Sequence, residues 1–472
     1  MKRKALAAFQ GDDDAAGEPR RAPPRLDDCF LAEEILPRLP AHAAQAFAAA
    51  APFFRGILTD PAYWLSRHPS RARPARRPRA ACLVVRGGGA GLLHELHYAD
   101  AGFSAAPAVA RAAGGSLAAH RYAGACNGLV LLAAPWSNRS RATAVLLNPA
   151  SGEEAAVAVV LDGGGRRVFH CFCGFGYSPS SKAYKALLCA RDFGRTSGAG
   201  GACHVELMVA PLGGGAAAGG RRQEPRRVAT IRCRFDGGGS PVSSSLSLDG
   251  KVYVLPDISA SSEVLAFDVD DETVTFIQRP PAGRPRSELM EVWGRPCVAT
   301  GYGDATMLWT LTPDHRWELR CSFASNIPSP GHGGTGAGAG DHVVIHGAWD
   351  CGDGLLFVMF RDGRGCMYEI QETAAVAREV VGGAAHDLPA ELRTATFCWG
   401  YQPTLIPPAS VVGDGACPGE CNDLRHFSSG LKGTRKSDDD ARRRRCLEVL
   451  LAEMMRKPPR RGEEVVAVEN NA

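Results

Sequence analysis

Residues 246–255, LSLDGKVYVL, and their continuation at 263–277, EVLAFDVDDETVTFI, decide the fold. Each alternates apolar and polar side chains about a short polar turn, Asp249-Gly250 in the first and Asp270-Asp271 in the second, which is the pattern of an antiparallel hairpin. Downstream, MLWTLTPDHRWELRCSF (307–323) turns at Pro313-Asp314, and LLFVMFRDGRGCMYEI (355–370) turns at Asp362-Gly363. The last three hairpins begin near Leu265, Leu308 and Leu356, about 43 and 48 residues apart, a spacing within the blade periods of propellers. Upstream, strand patterns occur at 81–85 (ACLVV), 168–178 (VFHCFCGFGYS), 184–189 (YKALLC), 204–210 (HVELMVA) and 228–235 (VATIRCRF). Together they predict an all-β, propeller-like domain over 81–408.

Bulk composition agrees. A chain of 472 residues exceeds one ordinary core and suits a small module plus a large repeat domain. With 55 Gly and 32 Pro, much of it is turn and loop, which favours many short strands. Lys plus Arg exceed Asp plus Glu by only 54 to 50, so the chain as a whole is not an electrostatic nucleic-acid binder, and no nucleic-acid partner is expected. The N-terminus turns polar within a few residues, so export is not expected. The Ala-rich run around 43–51 is broken by Gln45 and stopped by Pro52, so no membrane span is expected either. The 16 Cys, scattered singly, read as reduced thiols acting as small core hydrophobes.

Residues 1–26 mix Asp12–Asp14 with Pro and Arg and cannot bury enough apolar area to offset ordering entropy, which predicts disorder. From Asp27 the pattern becomes helical. DDCFLAEEILPRLP offers an Asp N-cap and Leu31, Ile35 and Leu39 at helical spacing, with Pro37 as breaker. AHAAQAFAAA suits a second helix, PFFRGIL a third opened by Pro52, and Asp60-Pro61 a further start. The fold class expected is therefore α+β and multidomain: a three-helix module at 27–68, an Arg/Pro linker at 69–80, the β domain, and a mostly disordered basic tail with a short helix at 409–472. A helical bundle this small stays ordered best by packing on something else, which implies a partner.

Other motifs yield no chemistry. Cys417, Cys421, His426 and Cys446 offer thiolate and imidazole ligands for zinc, but at irregular spacing in a polar tail, and no metal site or cofactor is assigned. Cys171-x-Cys173 lies in a strand pattern and reads as core. Gly331-x-Gly333-x-x-Gly336 matches a dinucleotide fingerprint formally, yet no βαβ unit surrounds it. No nucleophile elbow, phosphate loop or kinase signature occurs, so no catalytic residue is named and the chain reads as non-catalytic. Lys2-Arg3-Lys4 and Arg442–Arg445 read as a solvated charged tail or a nuclear import signal, so a cytoplasmic or nuclear location is expected.

The stretch FLAEEILPRLPAHAAQAFAAAAPFFRGILTDPAYWLSRH resembles an F-box: an acidic-hydrophobic first helix closing on Leu-Pro, a middle helix, an aromatic-Arg pair, and Asp-Pro before an aromatic. In that family the apolar helix faces dock on a Skp-type adaptor, which links to a cullin in a ubiquitin ligase. Carried over by position, the docking residues are Leu31, Ile35, Leu36, Leu39, Pro40, Phe47, Phe54, Ile57 and Leu58. Phe54 stands where the family usually has Trp, and Ala50 where it has Val. At about 0.8 kcal/mol per buried methylene, two or three such truncations weaken docking by about one to two decades.

Most of 81–405 resembles the F-box-associated domain of plant proteins. The carrying motifs are CNGLVLL (126–132), LLNPASGEE (146–154), CGFGYSPSSKAYKALL (173–188), LAFDV (265–269), the Trp of MLWTL and the Trp-x-Leu of RWELR. The resemblance implies a propeller-like disc that captures an unknown target protein for a Skp-cullin-F-box ligase. Two alternatives stay open. One is an interaction protein whose altered F-box no longer docks; the other is a kelch-oxidase-like enzyme, for which no ligand set is found.

Overall fold

At Asp249-Gly250 the backbone takes φ of +49° and +76°, the left-handed pair of a type I′ turn, whose twist matches that of the strands it joins. Leu248 consequently pairs with Lys251 and Leu246 with Tyr253, which sends Leu246, Val252 and Val254 to the interior. Asn127-Gly128 repeats the device at +51° and +77°, joining Cys126 to Leu129.

The computed structural model describes residues 44, 48, 52–60, 64, 79–88, 91–100, 106–112, 120–134, 141–161, 168–192, 203–213, 224–233, 242–256, 263–280, 284–285, 288–302, 305–324, 345–352, 354–360, 364–370, 378–379, 386–387 and 395–412. They begin with helix α1 (Pro52–Leu58) and form six antiparallel sheets in chain order. The first holds β1 (Arg79–Gly88), β2 (Gly91–Asp100) and β3 (Ala106–Ala112). The second holds β4 (Arg121–Cys126), β5 (Leu129–Ala133), β6 (Arg141–Asn148) and β7 (Glu153–Val160), and the third β8 (Val168–Ser178), β9 (Ala183–Asp192), β10 (Cys203–Leu212) and β11 (Arg226–Cys233). The fourth holds β12 (Val242–Leu248), β13 (Lys251–Pro256), β14 (Glu263–Asp268) and β15 (Val274–Gln278). The fifth holds β16 (Arg284–Pro285), β17 (Met290–Val292), β18 (Arg295–Tyr302), β19 (Ala305–Leu311) and β20 (Trp317–Ala324). The sixth holds β21 (Ile345–Gly352), β22 (Leu355–Phe360), β23 (Arg364–Glu369), β24 (Arg378–Glu379) and β25 (His386–Asp387). The last strand, β26 (Thr396–Phe397), returns to the first sheet and pairs with β1, Cys82 opposite Phe397, so the two ends of the β domain close on each other. A short helix, α2 (Pro408–Val412), follows.

Apolar side chains fill the spaces between neighbouring sheets. Leu83, Val130 and Leu132 pack between the first and second, Leu131, Ala144, Phe172 and Leu188 between the second and third, and Leu207, Val252 and Phe267 between the third and fourth. A continuous cluster runs on through the fourth, fifth and sixth sheets to Phe397 and Trp399, where the Trp399 ring stacks on Phe397 at 5.0 Å. Each large side chain in these layers contributes about 1.5–3 kcal/mol by leaving water. The fold is propeller-like and mostly β, in line with the hairpin reading, and the strands expected at 168–178 and from 184, 204 and 228 are β8 to β11.

Of the three-helix module expected at 27–68, the described residues include one helix, α1, with helical backbone at Ala44, Ala48 and Trp64. Apart from Thr59 and Asp60, the rest of that stretch lies outside the described residues, as do 1–26, 413–472 and the turn at Asp362-Gly363. The three-helix module is thus not supported as a whole. Strand β1 opens at Arg79, two residues inside the stretch read as linker, because Arg79 and Ala80 still pair with Asp100 and Ala99.

Gly213 has φ +76°, and a Cβ placed on it would stand 1.8 Å from the Val411 carbonyl oxygen. Gly152 has a similar φ, +72°, with nothing within 4 Å. Gly152→Ala should therefore cost only the left-handed penalty, about 1–2 kcal/mol, and Gly213→Ala distinctly more, since α2 must also shift. Urea unfolding of both variants checks the order; equal losses would contradict it.

Candidate functional site

The docking residues named from sequence fall into three groups. Leu31, Ile35, Leu36, Leu39, Pro40 and Phe47 lie outside the described residues, and for Phe54 only the backbone, in α1, is described. Ile57 is half-buried. Leu58 is fully buried and joins the apolar cluster between the second and third sheets. The module and the β domain therefore share a core here, and Leu58 presents no surface to a partner. Around it, Arg55 Nε donates to the Ala48 carbonyl at 3.3 Å, and Trp64 Nε1 donates to the Leu58 carbonyl. Trp64 N bonds the Asp60 carbonyl at 3.4 Å, the helix start that Asp60-Pro61 announces. Trp64 was not among the predicted anchors, although Asp-Pro before an aromatic pointed at it.

The signature residues of the β domain prove to be fasteners between sheets. Asn148, at the end of β6, is fully buried with both ends of its amide occupied. Its Nδ2 donates to the carbonyls of Thr404 at 3.1 Å and Ile406 at 2.8 Å, while Oδ1 accepts from the amides of Ala150 at 2.9 Å and Ser151 at 3.3 Å. No apolar or charged residue has that two-sided complement. Thr404 Oγ1 donates in turn to the Asn127 carbonyl at 2.8 Å. In β8, Gly174 and Gly176 leave no room for a Cβ, which would meet Val252 at 2.7 Å and Val269 at 2.7 Å respectively. Tyr184 fills the gap beside them, 4.8 Å from the Tyr177 ring and 5.4 Å from Phe175.

The turn after β8 is clamped to the turn after β14. Asp270 accepts from Ser178 Oγ at 2.5 Å, from Ser180 Oγ at 2.7 Å and from Ser180 N at 3.1 Å. Asp268 shapes its own loop by accepting from the amides of Asp270 and Asp271 at 3.0 and 3.1 Å. Lys185, buried in β9, donates to the Val269 carbonyl at 2.6 Å and pairs with Glu272 at 2.7 Å, and Arg226 closes on the same carboxylate. Burial, then the neighbouring Arg226, pushes the Lys185 ammonium below the usual lysine range. The Ser178 hydroxyl, helped by Ser180 and outweighing partial burial, holds the Asp270 carboxyl below the usual carboxylate range.

These contacts all lie at one end of the β domain, where strands β4, β8, β12 and β14 finish in tight turns. The segment 398–412 runs across the same end, with Gly400 against the Ser247 carbonyl and Val411 against Gly213. The opposite strand ends give rise to connections such as 113–119, 162–167, 234–241 and 325–344, which lie outside the described residues. One end is thus a fastened base of tight turns.

Among the described residues no group of three or more His, Cys, Asp or Glu is placed to hold a metal ion. Cys171 and Cys173 are buried beside Cys189; burial pushes the Cys171 thiol well above the usual range, and the hydrogen bond with Cys189, then burial, does the same for Cys173. Cys417, Cys421, His426, Cys446, Gly331–Gly336 and both basic runs lie outside the described residues. No described helix is long and apolar enough to cross a membrane.

No family model matches the chain, and no curated protein matches it significantly. Similar solved structures include the major allergen Mala s 1 of Malassezia sympodialis, with TM-score 0.28 and 11% identity over 55% of this chain and 77% of that one. The WD40 repeats of RRP9 give 0.26 and 10% over 56% and 83%, and KlAtg21 in complex with the coiled coil of AgAtg16 gives 0.31 and 8% over 61% and 76%. At such scores the architecture rests on the strand pairing described above.

Lys185→Met should cost about 2–4 kcal/mol, because it leaves the Val269 carbonyl and part of the Glu272 carboxylate without a donor. Asp270 makes a pH-dependent contribution. Its folded pKa lies below the unfolded one, so the clamp adds its full stability above the unfolded carboxylate value of about 4 and loses it as pH falls through the folded value. The Tm difference between wild type and Asp270→Asn should accordingly be present at pH 7 and vanish in strong acid; a pH-independent difference would contradict the clamp.

Proposed function

We propose that this chain recruits a target protein to a Skp-cullin-F-box ubiquitin ligase, its N-terminal helices docking a Skp-type adaptor and its β domain holding the target. One observation carries the reading. Residues by which the β domain resembles F-box-associated domains, Asn148, Gly176, Tyr184 and Lys185, are among those that fasten its sheets. The resemblance is therefore one of structural determinants, residues a shared fold would need in these places. In this role the chain makes and breaks no covalent bond. It acts by raising the local concentration of target lysines near a ubiquitin-loaded enzyme. The target surface falls to the end of the β domain opposite the fastened turns, and its identity is set by connections such as 325–344.

A second reading, an interaction protein that no longer docks an adaptor, is favoured by the burial of Leu58. Full-length protein and purified adaptor separate the two. Under the ligase reading they associate at micromolar concentration or tighter, and Leu39→Asp removes the association by burying an unpaired charge. Absence of binding up to high micromolar concentration would leave the second reading standing.

A further inference from the structure

We infer that the C-terminal segment 403–412 is a strap that keeps the docking face of α1 closed, so that adaptor binding requires its release; this rests on the ligase reading above. Leu58 and Ile57 belong to the residues that would enter an adaptor groove. Leu58 is instead fully buried in an apolar cluster that joins Ala44, Ala48 and Trp64 of the module to Leu405, Ile406 and Val411 of the strap, and Ile57 and Val412 pack against the same cluster. One leucine cannot fill two sites. Whatever holds it inward competes with the adaptor, and the adaptor's apparent affinity is its intrinsic affinity scaled by the fraction of molecules in which the face is open.

The strap is built to be the element that yields. Residues 401–407 belong to no strand, and α2 is only five residues long. Among the contacts that hold the strap are Asn148 Nδ2 to the carbonyls of Thr404 and Ile406, Thr404 Oγ1 to the Asn127 carbonyl, and the apolar side chains of Leu405, Ile406 and Val411. In the sheet beside it, β6 and β7 are joined by a continuous ladder of eight paired positions. A segment outside the strand ladders opens locally at lower free energy than the long ladders do. The strap shares with the module an apolar cluster built mostly from the second and third sheets, so its opening removes Leu405, Ile406 and Val411 from the cluster in which Leu58 is buried. The chain thus carries its own competitor for the docking face, seated on the same sheet that Asn148 terminates.

The test compares full-length wild type, Asn148→Ala and Val411→Ala, each titrated with a purified Skp-type adaptor and followed by hydrogen exchange at α1. Asn148→Ala removes both carbonyl bonds to the strap, and Val411→Ala, the milder change, serves if the first does not fold. The expected result is faster exchange in α1 and adaptor binding tighter by about tenfold, in proportion to the open population. Unchanged exchange at α1, or faster exchange with unchanged affinity, overturns the strap while leaving the ligase reading intact. If neither wild type nor variants bind adaptor, the ligase reading fails and the inference falls with it.

Discussion

Asn148 reaches across 256 residues of sequence to hold the Thr404 carbonyl, and the closed architecture depends on that fastening and on the strand that precedes it. A row of antiparallel sheets has two open ends, each exposing an apolar face and unpaired backbone groups. Here β26 supplies the fourth strand of the first sheet, Phe397 and Trp399 carry the core of the sixth sheet into it, and the following residues are pinned beneath the second sheet by Asn148 and Thr404. The early and late parts of the chain are joined in one sheet. Folding of the first sheet is accordingly tied to contacts that form late in synthesis.

Between the other sheets, closeness does the work that the fastener does at the closure. Gly124, Gly174 and Gly176 let inner strands approach until Phe175, Ser245, Val252 and Val269 touch them, and Ser245 Oγ donates to the Ala123 carbonyl at 2.6 Å, tying β12 to β4. Ion pairs and short polar bonds then lock the turns at one end, where Lys185, Glu272 and Asp270 hold the third sheet to the fourth. Such a base frees the opposite end to vary without loss of the fold. Under the proposed function, that division would leave a scaffold specified by few residues and a surface specified by others.

Much of this was legible in the sequence where the chemistry is local. Asp249-Gly250 declares a hairpin because only a few residue types tolerate two successive positive φ values, and the flanking alternation sets the register. The first sheet was harder. GLLHELHYAD in β2 and APAVARA in β3 mix charged residues and alanines that hold no preference for strand, and tertiary pairing overrides propensity there. The closing strand is two residues long, too short for any periodicity. Asn148 could be recognised as part of a motif, but its role needs partners more than 250 positions away, which no local pattern reveals. Leu58 illustrates a different limit. An amphipathic helix shows which face is apolar, and that face looks the same whether it packs on a partner or on the chain's own core.

The central claim is that the fold is closed by its own C-terminal strand and the segment after it. Native-state hydrogen exchange of the full chain, followed peptide by peptide as mild denaturant is added, tests it most directly. The account predicts that β1 loses protection in the same opening as 395–412, while β8 to β15 stay protected. Retention of full protection at β1 after 395–412 has opened would contradict it.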